Sequence, residues 1–316
     1  MVRLLLWTVG LVAAVLLVTY WWAGRNLKVL DADARAEAPG AFLDVSGGTL
    51  HYLVQGSDDG EIVVMVHGFS TPSFIFEQNA AALVDAGFRV VRYDHFGRGW
   101  SDRPKGPYDE AFYDRELMDL LDGFGLSEPV RLVGLSMGGP IVMSFAGRHP
   151  ERVSDIFLLV PAGLDVTGGN SGAAKLVRVP VIGDWIWRVF GRGILLGNSQ
   201  LDESALDPAN RLQGDVARQL DFRGYGEALL STMRHFPMSD RARLFSTVSD
   251  KTKIPVVAVF GDADDTIAVS SAAKLVPLIP RADVRIIAGG THGLNYQRHA
   301  EVNPMLVEWA SGATVD

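Results

Sequence analysis

The chain has 316 residues, 48% hydrophobic and 21% charged, with a formal net charge of −8 and no cysteine. Ordinary globular composition over this length permits one large domain with an insertion, and the acidic balance argues against a nucleic-acid-binding face. Disulfides, a thiol nucleophile and cysteine-ligated zinc are excluded, while the compartment stays open.

Leu4 to Ala23 is an uncharged run of 20 residues. As a helix it would extend ~30 Å, about the hydrocarbon thickness of a bilayer. Trp7 lies near one end and Tyr20, Trp21 and Trp22 at the other, as in aromatic belts. A cleaved signal peptide would have an apolar core of about 7–15 residues and a small-residue site close behind. Ala32-Asp33-Ala34 has the small-x-small pattern but sits well beyond the apolar end. Residues 1–23 are therefore expected to be a retained single-pass anchor in a lipid bilayer. Arg3 and the amino terminus oppose Arg25, Lys28 and Arg35, so charge does not choose the side. Residues 24–41, with Asp31, Asp33, Arg35, Glu37 and Pro39-Gly40, read as a tether.

Strand-like stretches then alternate with helical ones. Thr49 to Gln55, Glu61 to His67, Phe88 to Asp94, Val130 to Leu135 and Ile156 to Val160 are strands. Short continuous apolar runs are what a strand buried on both faces requires. Between them, 74–86, 109–125 and 137–148 are predicted helices. Alternation of this kind implies a mainly parallel, doubly wound α/β sheet. It breaks at Pro161-Ala162-Gly163 and resumes at Val256 to Phe260, followed by a helix at 270–279, a strand near Val284 to Ile287 and a helix at about 301–311. The core is thus expected at 42–162 and 254–316. Residues 163–253 lack buried-strand runs, with helix-like stretches near 209–232, and should form a helical cap over the carboxyl ends of the strands, where open α/β sheets bind ligands.

Gly134-Leu135-Ser136-Met137-Gly138 lies between a strand and a helix, the context in which G-x-S-x-G forms a nucleophile elbow. The sharp turn strains Ser136, and Gly134 and Gly138 let strand and helix approach closely. Two later strands end in Gly261-Asp262-Ala263-Asp264-Asp265 and in Gly289-Gly290-Thr291-His292-Gly293. Ser, acid and His therefore follow three strands in that order. A serine hydroxyl needs a neutral imidazole to take its proton, and a carboxylate to hold that imidazole in the right tautomer. From spacing alone, Asp262, Asp264 or Asp265 could supply the carboxylate. Asp262, one residue past the strand, is placed to bond its own turn.

The chain resembles the α/β-hydrolase superfamily from about residue 42 to 312. The likeness rests on His67-Gly68-Phe69, Tyr93-Asp94 with Gly97-x-Gly99-x-Ser101, Gly134-x-Ser136-x-Gly138-Gly139, Gly261-x-x-Asp264 and Gly290-Thr291-His292. The resemblance implies that fold with a helical cap, Asp264 as the triad acid, and backbone N–H groups of Phe69 and Met137 as the oxyanion hole. An N-terminal anchor with an apolar cap is similar to membrane-bound monoacylglycerol lipases and related carboxylesterases. It implies a serine hydrolase of apolar carboxylic esters, such as monoacylglycerols or other lipid esters. In the cap, Trp185 and Trp187, with Ile186, Val189 and Phe190, are candidates to line an acyl site or to face a membrane.

Dehalogenases and epoxide hydrolases share the fold but use Asp as nucleophile, which Ser136 argues against. A perhydrolase, a carbon–carbon hydrolase, or a ligand-sensing or scaffold protein with little turnover are the alternatives. His67 is expected to steady the oxyanion loop, and His95 and Arg98 to shape a neighbouring one. His51, His149, His235 and His299 are expected at the surface or in packing. No metal-ligand spacing emerges, and no cofactor is implied. Gly97-x-Gly99 lacks the third glycine and helix of a dinucleotide fingerprint.

Overall fold

A computed structural model describes residues 1–167, 171–197 and 212–312. Among them, the strands β1 (Ala41–Val45), β2 (Gly48–Gln55), β3 (Ile62–Val66), β4 (Arg89–Tyr93), β5 (Val130–Leu135), β6 (Val153–Leu159), β7 (Val256–Gly261) and β8 (Asp283–Ile287) form one sheet. Its order is β1-β2-β4-β3-β5-β6-β7-β8. β2 is antiparallel to both neighbours, and β3 to β8 run parallel. This is the α/β-hydrolase fold.

The helices are α1 (Val2–Gly24), α2 (Ala32–Arg35), α3 (Glu77–Asp85), α4 (Glu110–Gly123), α5 (Gly138–Arg148), α6 (Gly172–Arg178), α7 (Ile182–Gly197), α8 (Leu212–Gln219), α9 (Tyr225–His235), α10 (Ala242–Lys251), α11 (Ser270–Leu278), α12 (Leu294–Gln297) and α13 (His299–Ala310). Because strand side chains alternate, the central strands serve two cores. Val63, Met65, Val133 and Leu135 join Phe76, Ala80 and Leu306 on one face. Val64, Val66 and Leu132 join Leu117, Leu120 and Ile141 on the other. Apolar side chains on both faces explain why β3 and β5 read as unbroken apolar runs.

Four details depart from the sequence reading. β1 begins at Ala41 and pairs with β2 from Ala41↔Tyr52 to Val45↔Gly48, so the sheet starts within the expected tether. It is a half-exposed edge strand whose burial alternates while its residues, Ala-Phe-Leu-Asp-Val, do not alternate apolar with polar, so the sequence carries little signal. The tether also contains α2, capped by the Asp31 side chain. In the 163–253 segment, α10 packs on α5 and α11 and so belongs to the core layer, leaving α6 to α9 as the cap. Residues 209–211 of the helical stretch predicted near 209–232 lie outside the described residues, and a turn ending at Gly224 (φ 87°) separates α8 from α9.

Candidate active site

β5 delivers Ser136 at the carboxyl edge of the sheet. Its φ of 52° lies in the left-handed region that a non-glycine residue adopts only under constraint. The constraint comes from both sides: the Ser136 N–H donates to Leu159 O at 2.9 Å, and Ser136 O accepts from Gly139 and Ala162, each at 2.9 Å. A Cβ on Gly134 would come within 2.7 Å of Gly138 O, and one on Gly138 within 2.1 Å of Val66 O. Both glycines are therefore required for the elbow to close.

The loops after β7 and β8 meet this serine. His292 Nε2 lies 3.0 Å from Ser136 Oγ, and His292 Nδ1 lies 2.9 Å from Asp264 Oδ2. The other carboxylate oxygen of Asp264 accepts the Thr266 and Ile267 N–H groups, both at 2.8 Å, which pins the acid that faces the imidazole. Asp264 is 7% exposed, while Asp262 and Asp265 are exposed. Asp262 does not bond its own turn; its Oδ1 accepts the Gly289 N–H at 2.6 Å and ties the β7 loop to the β8 loop. The packed neighbouring loop, invisible to local spacing, supplies the better donor.

Gly68 presses against the nucleophile, since a Cβ there would sit 3.2 Å from Ser136 Cβ. Phe69 follows it, and Met137 precedes the first turn of α5. Among the described residues, neither Phe69 N–H nor Met137 N–H donates to a protein acceptor. Unpaired N–H groups at a helix start attract negative charge.

A buried network holds this loop. His67 Nε2 accepts the His95 N–H at 2.9 Å, and His67 Nδ1 lies 2.9 Å from Gly68 O. Burial, with His95 beside it, keeps the His67 imidazole well below its ordinary pKa. His95 Nε2 meets His67 O at 3.1 Å, and His95 Nδ1 meets the Glu116 carboxyl, which also accepts the Phe96 N–H at 2.6 Å. Burial pushes the Glu116 carboxyl up to about 8, and burial with the Arg98 charge holds His95 down to about 3. The pair is thus a protonated acid donating to a neutral imidazole. Arg98, fully buried, donates to Phe69 O at 3.0 Å, Phe96 O at 3.2 Å and Thr232 Oγ1 of α9 at 2.8 Å.

Asp94 organises the preceding turn by accepting from Ser73 N at 2.9 Å and Trp100 N at 3.0 Å. Its third partner is His51 at 2.7 Å. His51 is therefore not a surface group but half of a buried pair. Burial opposes its charge, yet Asp94 outweighs this and raises its pKa. Glu116, Thr232 and Tyr225, whose hydroxyl donates to Ser70 O at 2.6 Å, escaped the sequence reading. For Glu116 a signal existed: with Tyr113, Leu117 and Leu120 it shares the buried face of α4.

In the cap, Trp187, Tyr225, Leu229 and Leu230 form an apolar cluster against which Phe69 packs. Trp187 donates its indole N–H to Gly226 O at 2.7 Å and lines a mixed cavity of about 240 Å³ with Tyr20, Leu195 and Tyr225 and the charged Asp184, Arg188 and Glu227. Trp185 instead donates its indole N–H to α1, at Leu16 O (3.1 Å) and Thr19 Oγ1 (3.0 Å).

Residues 61–176 match the family described as the alpha/beta hydrolase fold. A non-heme chloroperoxidase named as putative from Synechocystis is 29% identical over 266 residues, 79% of this chain and 91% of that protein. A 2-hydroxy-6-oxononadienedioate/2-hydroxy-6-oxononatrienedioate hydrolase from Burkholderia vietnamiensis is 26% identical over 274 residues, 82% of this chain and 90% of its own. Among solved structures, a thermophilic esterase from Thermogutta terrifontis superposes with a TM-score of 0.70 at 21% identity, covering 87% of this chain and 99% of that one. These likenesses share the fold and differ in named chemistry.

Proposed function

We propose that this chain, which belongs to the α/β-hydrolase superfamily, is a membrane-anchored serine hydrolase of apolar carboxylic esters, monoacylglycerols or other lipid esters among them. The observation that carries the reading is the relay from Ser136 Oγ through His292 to Asp264, at 3.0 and 2.9 Å. Ser136 attacks the ester carbonyl carbon as its proton passes to His292 Nε2. The carbonyl oxygen, now an oxyanion, is met by the Phe69 and Met137 N–H groups, each worth roughly 3 kcal/mol of barrier. Collapse breaks the carbon–oxygen bond to the alcohol, which leaves with the proton from His292. Water, deprotonated by the same imidazole, then cleaves the acyl-enzyme, releasing the acid and regenerating Ser136. The cluster of Trp187, Tyr225, Leu229 and Leu230 beside Phe69 supports an apolar acyl or alcohol group. The exposed apolar α1 supports the anchor.

The test is a serine-directed fluorophosphonate label and a panel of esters of graded acyl length, on wild type and Ser136→Ala. Labelling and ester turnover that both depend on Ser136 are expected, with longer acyl chains preferred. Labelling without ester turnover sinks the esterase reading. The names of the relatives then direct the next assays, to peroxide-dependent acyl transfer and to carbon–carbon hydrolysis.

A further inference from the structure

The anchor does not hang free of the cap. Trp185, in the first turns of α7, bonds Leu16 O and Thr19 Oγ1. One turn later the Arg188 guanidinium lies 5.0 Å from the Tyr20 ring centroid and fills the space beside Gly24. Higher numbers on α7 meet higher numbers on α1, so the two helices run in the same sense. A second stitch joins the end of the anchor to the α8–α9 turn: Lys28 N–H donates to Asp221 O at 2.8 Å, Arg223 N–H to Lys28 O at 2.9 Å, and Arg223 Nε to Leu27 O at 3.0 Å.

This makes α1 a depth gauge for the cap. Leu16 lies eight residues before Gly24, about 12 Å along the helix at ~1.5 Å per residue. With α1 across a bilayer, Trp185 is held at hydrocarbon depth. The parallel run of α7 places the residues that precede Trp185 deeper still. Four of them are exposed apolar side chains, Leu176, Val179, Val181 and Ile182 at 47%, 42%, 79% and 51%, with Lys175 the exposed charge beside them. Val181 is pushed out at the tip of the α6–α7 turn with a φ of 68°, a conformation foreign to a β-branched side chain.

At the turn itself Asp184 and Arg234 satisfy each other within the protein, as a lipid environment requires, whereas the α6 cations Lys175 and Arg178 lie on the same edge, with Arg178 Nε unpartnered among the described residues. Arg234 pairs with both oxygens of Asp184 (2.9 and 3.0 Å) and also donates to Arg178 O and Val179 O. Asp184 accepts the Val181 N–H at 2.8 Å.

We infer that the α6–α7 edge of the cap is embedded in the same leaflet of the bilayer as the C-terminal half of α1, with phospholipid acyl chains as its occupant. The cap is thereby fixed in depth and the apolar side of the cap opens on the membrane rather than on water. The inference rests on α1 spanning the bilayer and is independent of the reaction catalysed.

The absence of cysteine allows unique labelling of the full chain. Val181→Cys, Ile182→Cys, Val12→Cys in the anchor and Asp59→Cys in the β2–β3 loop, at the opposite edge of the sheet, are each labelled with an environment-sensitive fluorophore and reconstituted in phosphatidylcholine vesicles. Labels at 181, 182 and 12 are expected to be quenched by lipids carrying a nitroxide on the acyl chain and shielded from aqueous iodide, with the reverse at 59. Quenching at 12 but water-like behaviour at both 181 and 182 overturns the embedding while leaving the anchor intact. Water-like behaviour at 12 as well overturns the spanning helix and the inference with it. Four labels at tolerant exposed positions keep the reading independent of any one variant's folding.

Discussion

Arg98 Nε donates to the carbonyl oxygen of Phe69 at 3.0 Å, so a fully buried guanidinium holds the residue whose N–H faces the proposed oxyanion. Its Nη2 ends on Thr232 of α9, which links the cap to the oxyanion loop through one side chain. Arg98→Lys keeps the charge and loses the planar fork. Since one oxyanion donor is worth about 10²–10³ in kcat, loosening it should lower kcat about 10- to 100-fold with a smaller change in KM. Steady-state kinetics, with a melting curve to show that the variant folds, measures this. Wild-type kcat in a folded Arg98→Lys protein would remove the positioning role.

The three acids after β7 separate cleanly. Asp264→Asn keeps the bonds from Thr266 and Ile267 but turns an amide N–H toward His292, so the imidazole loses its tautomer control. A loss that reaches about 10⁴-fold in comparable triads is expected. Asp262→Asn retains an oxygen for the Gly289 N–H and should stay close to wild type, as should exposed Asp265→Asn. Turnover of the three variants side by side decides it, and the assignment fails if Asp264→Asn is the mildest.

The His95–Glu116 pair predicts a pH dependence of stability. Glu116, raised to about 8 in the fold, keeps a proton the unfolded chain loses near its ordinary 4.5, so its contribution falls as pH rises through that window. His95, held to about 3, is neutral in the fold, and its contribution grows from about 3 to its ordinary ~6.5. The two effects cancel between about 4.5 and 6.5. Above that range Glu116 alone of this pair acts, and its contribution should fall by about 2 kcal/mol between pH 6.5 and 8. Tyr93 is raised well above 10 and His67 is held neutral, so neither changes charge in that window, and His51, raised by Asp94, acts equally in both proteins. Glu116→Gln donates to His95 and accepts from Phe96 at every pH, and should flatten the profile. Denaturant unfolding of both proteins across pH 6.5–8.5 measures the difference, and equal slopes would exclude it.

Trp187 is 8% exposed and packed in the cap cluster, so Trp187→Ala should destabilise by about 3–5 kcal/mol. Its cluster also packs against Phe69 beside the proposed oxyanion site, and acyl-length preference should shift toward bulkier chains. Thermal melts and the ester panel read the two effects separately. Lost stability with unchanged preference would make Trp187 a packing residue only.

Much of this protein was written locally. Apolar runs of strand length, the glycines at 134 and 138, and the strand-following positions of Ser136 and His292 need only short-range sterics and the alternation of side chains, which a sequence displays. Resemblance chose Asp264 where spacing left three acids open, and the packed β8 loop shows why: it takes Asp262 for Gly289 and leaves Asp264 facing His292. Other features depend on partners far apart in the chain. His51 looked unpartnered because Asp94 lies 43 residues away, Arg98 reaches Thr232 across 134, and Trp185 reaches Leu16 across 169. The edge strand β1 owes its form to pairing with β2 rather than to its own weak pattern. Local geometry sets the elbow and the strands; the desolvated pairs, the loop network and the docking of the cap on α1 exist only once folding brings distant groups together and removes water between them.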